Sequence, residues 1–398
     1  MNPILIAGAG PVGCALALFL AHNDIPVVLL EAQDSLPRDL RASTFHPPTL
    51  DMLAKLDLVE DMMAVGLQVD HYQYRDRRTN EVAKFDLSIL DGETSHPYRL
   101  QCEQYKMTNI VVDKLADIPH AEVRMGTRIK GFKEVDGAVE ALVQNGDGEE
   151  VIKCSYLVGC DGANSVVRQA GAVKFEGLTY PERFLVASTT YDFAEYFKGL
   201  SLVNYVSDPD EWCVLLKTSD LWRVLIPTPI AEEDERFLTD EFIQDRLHRL
   251  AENDVDFDIR HRTLYRVHQR VAETYQVRDR VLIAGDAAHV NNPLGGMGMN
   301  GGVQDAINLA EKLVHIINHG GDRQALLSLY NRQRRGICTQ FIQEHTMKNK
   351  ALMEATDEAT QVKRQAKFMK SSADPVLAKA FVMETSMINC VRDSYQIT

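Results

Sequence analysis

Pro3-Ile4-Leu5-Ile6-Ala7-Gly8-Ala9-Gly10-Pro11-Val12-Gly13 opens the chain and carries its most constrained reading. An apolar run ends at Gly8, and helix-like spacing of Val12, Ala15, Leu16, Phe19 and Leu20 follows over Pro11 to His22. Val27 to Leu30 form a second apolar run that ends in Glu31. This order predicts a strand, a turn, a helix and a strand. In the turn the first glycine permits the tight bend, the second lets backbone amides approach a pyrophosphate, and the third lets helix and strand pack closely. The helix start offers unsatisfied N–H groups and a partial positive charge to phosphates, and Glu31, with Ala32 beside it, stands where a carboxylate accepts hydrogen bonds from a ribose diol. Gly8, Gly10, Pro11, Val12, Gly13, Glu31 and Ala32 are therefore expected to bind a dinucleotide. The unit alone leaves FAD and NAD open.

Two later stretches choose between them. Tyr156 to Cys160 read as a buried strand ending in Asp161-Gly162-Ala163-Asn164-Ser165-Val166-Val167-Arg168. Arg280 to Ala284 read as another, leading into Gly285-Asp286-Ala287-Ala288-His289, then Pro293-Leu294-Gly295-Gly296-Met297-Gly298-Met299-Asn300 and a helix. With these three signatures in this order, the chain closely resembles the flavoprotein aromatic hydroxylases of the para-hydroxybenzoate hydroxylase type. The resemblance implies an α/β fold: a Rossmann-like FAD-binding domain with an inserted β-sheet substrate domain and a C-terminal helical tail. It assigns 1–70, 101–178 and 266–335 to the FAD-binding domain, 71–100 and 179–265 to the substrate domain, and 336–398 to C-terminal helices.

The resemblance also implies roles. Gly285 and Asp286 would lie at the FAD ribityl chain, while Gly296, Gly298 and Met299 would let backbone amides approach the flavin pyrimidine edge closely. The positive end of the helix beginning near Gly298 would stabilise the charge that this edge acquires on reduction. Asn300 adds a side-chain donor. Arg41 falls where the family places an arginine against FAD, Gln104 where it places a glutamine near the adenosine or pyrophosphate, and Asp161 and Arg168 match residues linked to FAD binding and passage of the nicotinamide. Apart from the glycine-rich helix start at Gly296, which the resemblance gives to the flavin, no second GxGxxG unit is present, so NADH or NADPH would bind transiently as electron donor. His289 reads as a packed, hydrogen-bonded histidine rather than a base.

Two stretches, His71 to Leu100 and Arg183 to Pro227, alternate as strands do, and Thr218-Ser219-Asp220 reads as the turn of a hairpin. By resemblance they build a sheet over the flavin ring, with Tyr72, Tyr74, Tyr205, Trp212, Arg223 and His46 as candidate pocket residues. Pro293, Arg223 and His46 are the candidates for catalysis: the Pro293 carbonyl beside the oxygen adduct, Arg223 as a cation for a substrate carboxylate or phenolate. The activity implied is single-component hydroxylation of a small aromatic substrate by NAD(P)H and O2 through a flavin C4a-hydroperoxide. A halogenase is disfavoured because Val224 stands at the second tryptophan of its WxWxIP motif. A flavin-dependent reductase and a non-catalytic, flavin-binding regulatory protein remain as alternatives.

Composition sets outer bounds. The 398 residues carry 43 Lys and Arg against 57 Asp and Glu, a formal charge of -14 that repels nucleic acid and anionic membranes at long range. The 7 cysteines include no CxxC pair or zinc spacing, so no metal is expected and reduced thiols in a cytoplasmic setting are the simplest reading. No apolar run approaches the roughly 20 residues that span a bilayer, and Met1 to Ile6 run directly into a strand with no leader-like pattern. After Tyr330 no thioredoxin-like domain fits, and the helical tail is expected to pack Met353, Phe368, Leu377, Phe381 and Met387 on the FAD lobe or on a second subunit of a homodimer.

Overall fold

The computed structural model describes residues 1–398 except 39, 41, 209–210, 229–233 and 355–356, so Arg41 lies outside the described residues. Among those described, a five-stranded sheet runs Val281–Ile283, Tyr156–Gly159, Ile4–Ala7, Val27–Leu30 and Ala121–Arg124, every pair parallel. The first four strands read as unbroken apolar runs because both faces are covered, by helices and by a three-stranded antiparallel sheet, Arg128–Val135, Ala138–Asn145 and Gly148–Cys154, whose Ile129, Val139, Ala141 and Val143 join the same core. Helices Pro11–Ala21 and Met297–His319 pack on it side by side. The glycine turn, the DG loop and the GD loop thus emerge at the carboxyl ends of three neighbouring strands, where open α/β sheets bind ligands.

An eight-stranded sheet stands over that edge, in the order His289–Val290, Ile259–Ala272, Phe175–Thr189, Trp222–Pro227, Cys213–Lys217, Val203–Ser207, His71–Asp76 and Val82–Asp86. Period-two alternation decides what each face does. Phe184, Val186, Val214 and Leu225 point toward the lobe of the five-stranded sheet, while Leu185, Ala187, Cys213, Leu215, Val224 and Ile226 point outward beneath helix Asp240–Ala251. The expected hairpin closes with Thr218 N donating to the Leu221 carbonyl at 2.8 Å. The excursion read over 71–100 divides: its first strands join this sheet, whereas Arg99–Gln101 pairs between Thr44–Phe45 and Leu67–Val69 in a three-stranded sheet between the lobes.

The tail corrects part of the expected packing. Helix Arg323–Ile337 passes through a π-helical turn, Cys338–Ile342, into Gln343–Glu354, followed by Glu358–Ala373, Pro375–Thr385 and Ile388–Gln396. Met353, Phe368 and Phe381 lie on the eight-stranded sheet instead of the lobe of the five-stranded sheet, Met387 packs as expected on that lobe, beside Met297 and Gln304 of helix Met297–His319, and Leu377 is exposed. Aspartates 357 and 374 cap the starts of the second and third tail helices, so the tail's turns are locally encoded. No helix among the described residues is long and apolar enough to cross a membrane.

Candidate active site

The three loops and the eight-stranded sheet enclose one continuous cavity of about 450 Å³. Gly10, Pro11 and Val12 form its lower end with Gly162, Ala163 and Asp286; Pro293, Gly296, Gly298 and Met299 form its floor; strands of the eight-stranded sheet form its roof.

At the lower end the backbone does the work. A Cβ on Gly13 would overlap the Gly8 carbonyl oxygen, whereas a Cβ on Gly10 would meet open space. Gly10 is also the N-cap of helix Pro11–Ala21 and supplies no capping side chain, so the first amides of the helix face the cavity. Helix Met297–His319 begins the same way at Gly296, a left-handed residue with φ +67°. Glu31 stands at its strand end, but its carboxylate already accepts the N–H groups of Ala9 (3.1 Å) and Gln33 (3.0 Å). Gln104 lines the cavity; Ala32 does not.

Several residues read as cofactor contacts brace the loops instead. The Asp161 carboxylate accepts the N–H groups of Val166 (2.7 Å) and Val167 (3.2 Å), capping a helical turn, and burial raises its pKa. Arg168 spans from the DG loop to the GD loop, donating to the carbonyls of Ala163 (2.7 Å) and Ala287 (2.8 Å) with its guanidinium 3.9 Å from the Phe175 ring centre. Asn300 is spent in the same way: its Oδ1 accepts His46 N at 2.8 Å, and its Nδ2 donates to the carbonyls of Thr44 and Gly296. Gly285 approaches Val12 so closely that a Cβ there would stand 2.7 Å from Cγ2. His289 is packed and bonded as read, with Nε2 2.9 Å from Asp305 Oδ2.

The upper end is apolar, walled by Val186, Val203, Val214, Leu216, Leu225 and Leu294. Of the residues read as pocket candidates, Tyr205 and Arg223 line it. Tyr72, Tyr74 and Trp212 stand behind the wall, because each belongs to the packed layer between sheet and tail. His46 is behind it too: its Nε2 meets the Gly295 carbonyl at 2.8 Å and so carries the proton, leaving Nδ1 buried without a partner. Burial, then the nearby Arg99 charge, push its pKa down to about 3, so the ring is neutral. Pro293 does line the cavity, and its carbonyl accepts Gly296 N–H at 3.0 Å while keeping a second lone pair. Arg223 donates to Ser43 Oγ at 3.1 Å, joining the roof to the segment beside the floor.

Arg99 was missed. It lies in the cavity wall, 2% exposed, and its only signal in the sequence is a charge inside the short apolar-leaning run Tyr98 to Cys102. Gln101 on the same strand was missed as well; it binds Ser43 Oγ (3.2 Å) and Thr44 Oγ1 (3.1 Å) and so shapes the cavity edge.

The model of the FAD binding domain family matches residues 1–345, and the chain belongs to this family. Within it, the chain is a single-component FAD-dependent aromatic monooxygenase, of the group A flavoprotein class. It is 32% identical over 394 residues to para-nitrophenol 4-monooxygenase of Pseudomonas sp. (strain WBC-3), covering 98% of this chain and 96% of that one. It is 32% identical over 335 residues to 6-hydroxy-3-succinoylpyridine 3-monooxygenase HspB of Pseudomonas putida, covering 83% and 84%. The crystal structure of p-nitrophenol 4-monooxygenase PnpA from Pseudomonas putida DLL-E4 superposes with a TM-score of 0.91 at 30% identity, covering 98% of each chain. These similarities do not favour the reductase or regulatory readings. The cofactor is FAD, with NAD(P)H the donor typical of the family. The cavity suits it: Gly10 leaves open space, two helices start uncapped at its wall, and Asn291 Oδ1 on that wall is buried without a partner.

Proposed function

We propose that the chain hydroxylates a small phenol, with nitrophenols the first compounds to examine, and that the two ends of the cavity divide the labour. The observation that carries this reading is the continuity of the cavity from the uncapped glycine turns to an apolar chamber holding Tyr205 and Arg223. Bound FAD, once reduced by NAD(P)H, supplies the electrons that activate O2 for transfer of one oxygen atom to the ring.

Gly10, Pro11 and Val12 would hold the dinucleotide phosphates with the helix amides, Gln104 and Asp286 would flank the chain between them and the ring, and Gly298 and Met299 would present backbone N–H groups to the ring's polar edge while Gly296 lines the floor beside them. Asp161, Arg168 and Asn300 would act one step back, by holding those loops still. The aliphatic walls exclude water, which protects an activated oxygen from wasteful release as hydrogen peroxide. Arg223, tethered to Ser43, would mark the boundary between ring chamber and cofactor, and its replacement by Ala should weaken substrate binding. The Pro293 carbonyl keeps one lone pair for a donor at the floor.

The test is oxygen-electrode and absorbance kinetics of the FAD-loaded protein with NADH or NADPH across phenols, hydroxybenzoates and hydroxypyridines. Substrate-stimulated NAD(P)H oxidation, with hydroxylated product matching the oxygen consumed, is the expected result. Absence of stimulation by every compound overturns the proposal.

A further inference from the structure

Arg99 is a buried cation whose surroundings leave it electrically unfinished. Its side chain is 2% exposed, its Nε has no hydrogen-bond partner, and Nη2 reaches the Thr385 carbonyl only at 3.4 Å. No carboxylate pairs with it among the described residues; its close neighbour is the Tyr72 ring, whose centre lies 4.1 Å from Cζ. A charge removed from water without a counter-ion is costly, and a ring face offsets only part of that cost. Arg99 lines the same cavity that the floor glycines open onto. His46, the titratable group behind it, is neutral and brings no compensating charge.

We propose, resting on the hydroxylase reading above, that Arg99 is the seat for an oxyanion carried on the aromatic substrate, and that the C-terminal tail aims it. The tail's part is visible in one short chain of contacts. The Thr385 hydroxyl donates to the Phe381 carbonyl at 2.9 Å, which leaves its oxygen to accept from the Tyr72 hydroxyl at 2.7 Å. That bond fixes the ring on which the guanidinium rests, and the backbone carbonyl of the same threonine touches the guanidinium itself. A residue more than two hundred positions away in sequence therefore sets the direction in which Arg99 points. Arg223 is the weaker candidate for this role because its guanidinium is already committed to Ser43.

The experiment is equilibrium binding to the FAD-loaded protein, followed by quenching of flavin fluorescence, with 4-nitrophenolate and 4-nitrobenzoate as anions and 4-nitroanisole as neutral isostere. Wild type should prefer one of the anions to the neutral compound, and which anion wins separates a phenolate seat from a carboxylate seat. Arg99→Met should weaken that anion on the order of 30-fold, the scale of one charge-assisted pair, while 4-nitroanisole changes by less than about threefold. Arg99→Lys, which keeps the charge and loses the planar fork, should fall between them. Tyr72→Phe and Thr385→Val should each lower the anion-to-neutral ratio by about threefold, an effect that simple loosening of the fold would not produce. Melting curves accompany each variant; Arg99→Met should melt no lower than wild type, since it removes an unpaired buried charge. Equal weakening of anionic and neutral ligands, or no anion preference in a wild type that still couples oxygen to product, overturns the seat and leaves the hydroxylase reading standing. A wild type that neither binds these compounds nor consumes oxygen with any phenol overturns both.

Discussion

Nε of Arg334 lies 2.7 Å from Oδ1 of Asp305, with both side chains buried. The other carboxylate oxygen accepts Nε2 of His289 at 2.9 Å and the N–H of Gly285 at 3.1 Å. Burial alone would raise the Asp305 carboxyl, but Arg334 and His289 more than reverse this and hold it below the usual carboxylate range. One carboxylate thus joins the GD turn, the helix that starts at the cavity floor and helix Arg323–Ile337, which leads into the tail. Asp305→Asn leaves the Arg334 guanidinium buried beside a neutral group and should cost about 3–5 kcal/mol. Urea unfolding measures that loss, and FAD retention on gel filtration should fall with it because Gly285 loses its anchor.

His46 makes the fold sensitive to mild acid. Its folded pKa of about 3 lies below the free value of 6.5, so the folded state binds fewer protons than the unfolded state between them. The associated stability is complete above pH 6.5 and is lost as pH falls toward 3. Between pH 7 and 5 the loss from this group should be about 2 kcal/mol. His46→Gln, whose amide can still donate to the Gly295 carbonyl, should remove most of that step when unfolding is compared at the two pH values.

The turn glycines should separate folding from cofactor binding. Gly13→Ala drives a methyl group into the Gly8 carbonyl and should destabilise even the FAD-free protein by about 2 kcal/mol or more. Gly10→Ala meets open space at φ -73°, an ordinary value for alanine, and should change FAD-free stability by less than about 0.5 kcal/mol. Its FAD affinity should nevertheless drop on the order of tenfold, because the new methyl group occupies the cavity wall. Equal affinity for FAD in wild type and Gly10→Ala would show that the cofactor lies elsewhere.

Phe368 connects the tail to the chamber through stacked rings. It lies 4.0 Å from Tyr74, which lies 4.8 Å from Tyr205 in the chamber wall. Phe368→Ala should lower stability by about 3 kcal/mol and leave Tyr205 less firmly backed. The second effect is read as a larger share of oxygen released as hydrogen peroxide rather than captured in product.

Much of the cofactor lobe was legible in the sequence, since its signals are local. A glycine whose neighbour backbone leaves no room for a Cβ, a strand that must be apolar on both faces and a helix that starts directly after a turn constrain residues a few positions apart. The same locality limits what the motifs say about single side chains. Asp161, Arg168 and Asn300 stand inside the right loops, but whether a side chain faces a ligand or braces the backbone depends on hydrogen-bond partners the local motif does not name.

The chamber was less legible. Alternation along the strands announces two faces without saying which one meets the flavin lobe, and Tyr72 and Tyr74, expected in the pocket, pack against the tail. By itself the sequence determined the dinucleotide turn, the order of the motifs around the parallel sheet and the hairpin at Thr218 to Asp220. Only the tertiary structure decided that Arg99 looks into the cavity and that Thr385 steadies it, because a buried charge gains its direction from packing partners, and here the partner arrives 286 residues later.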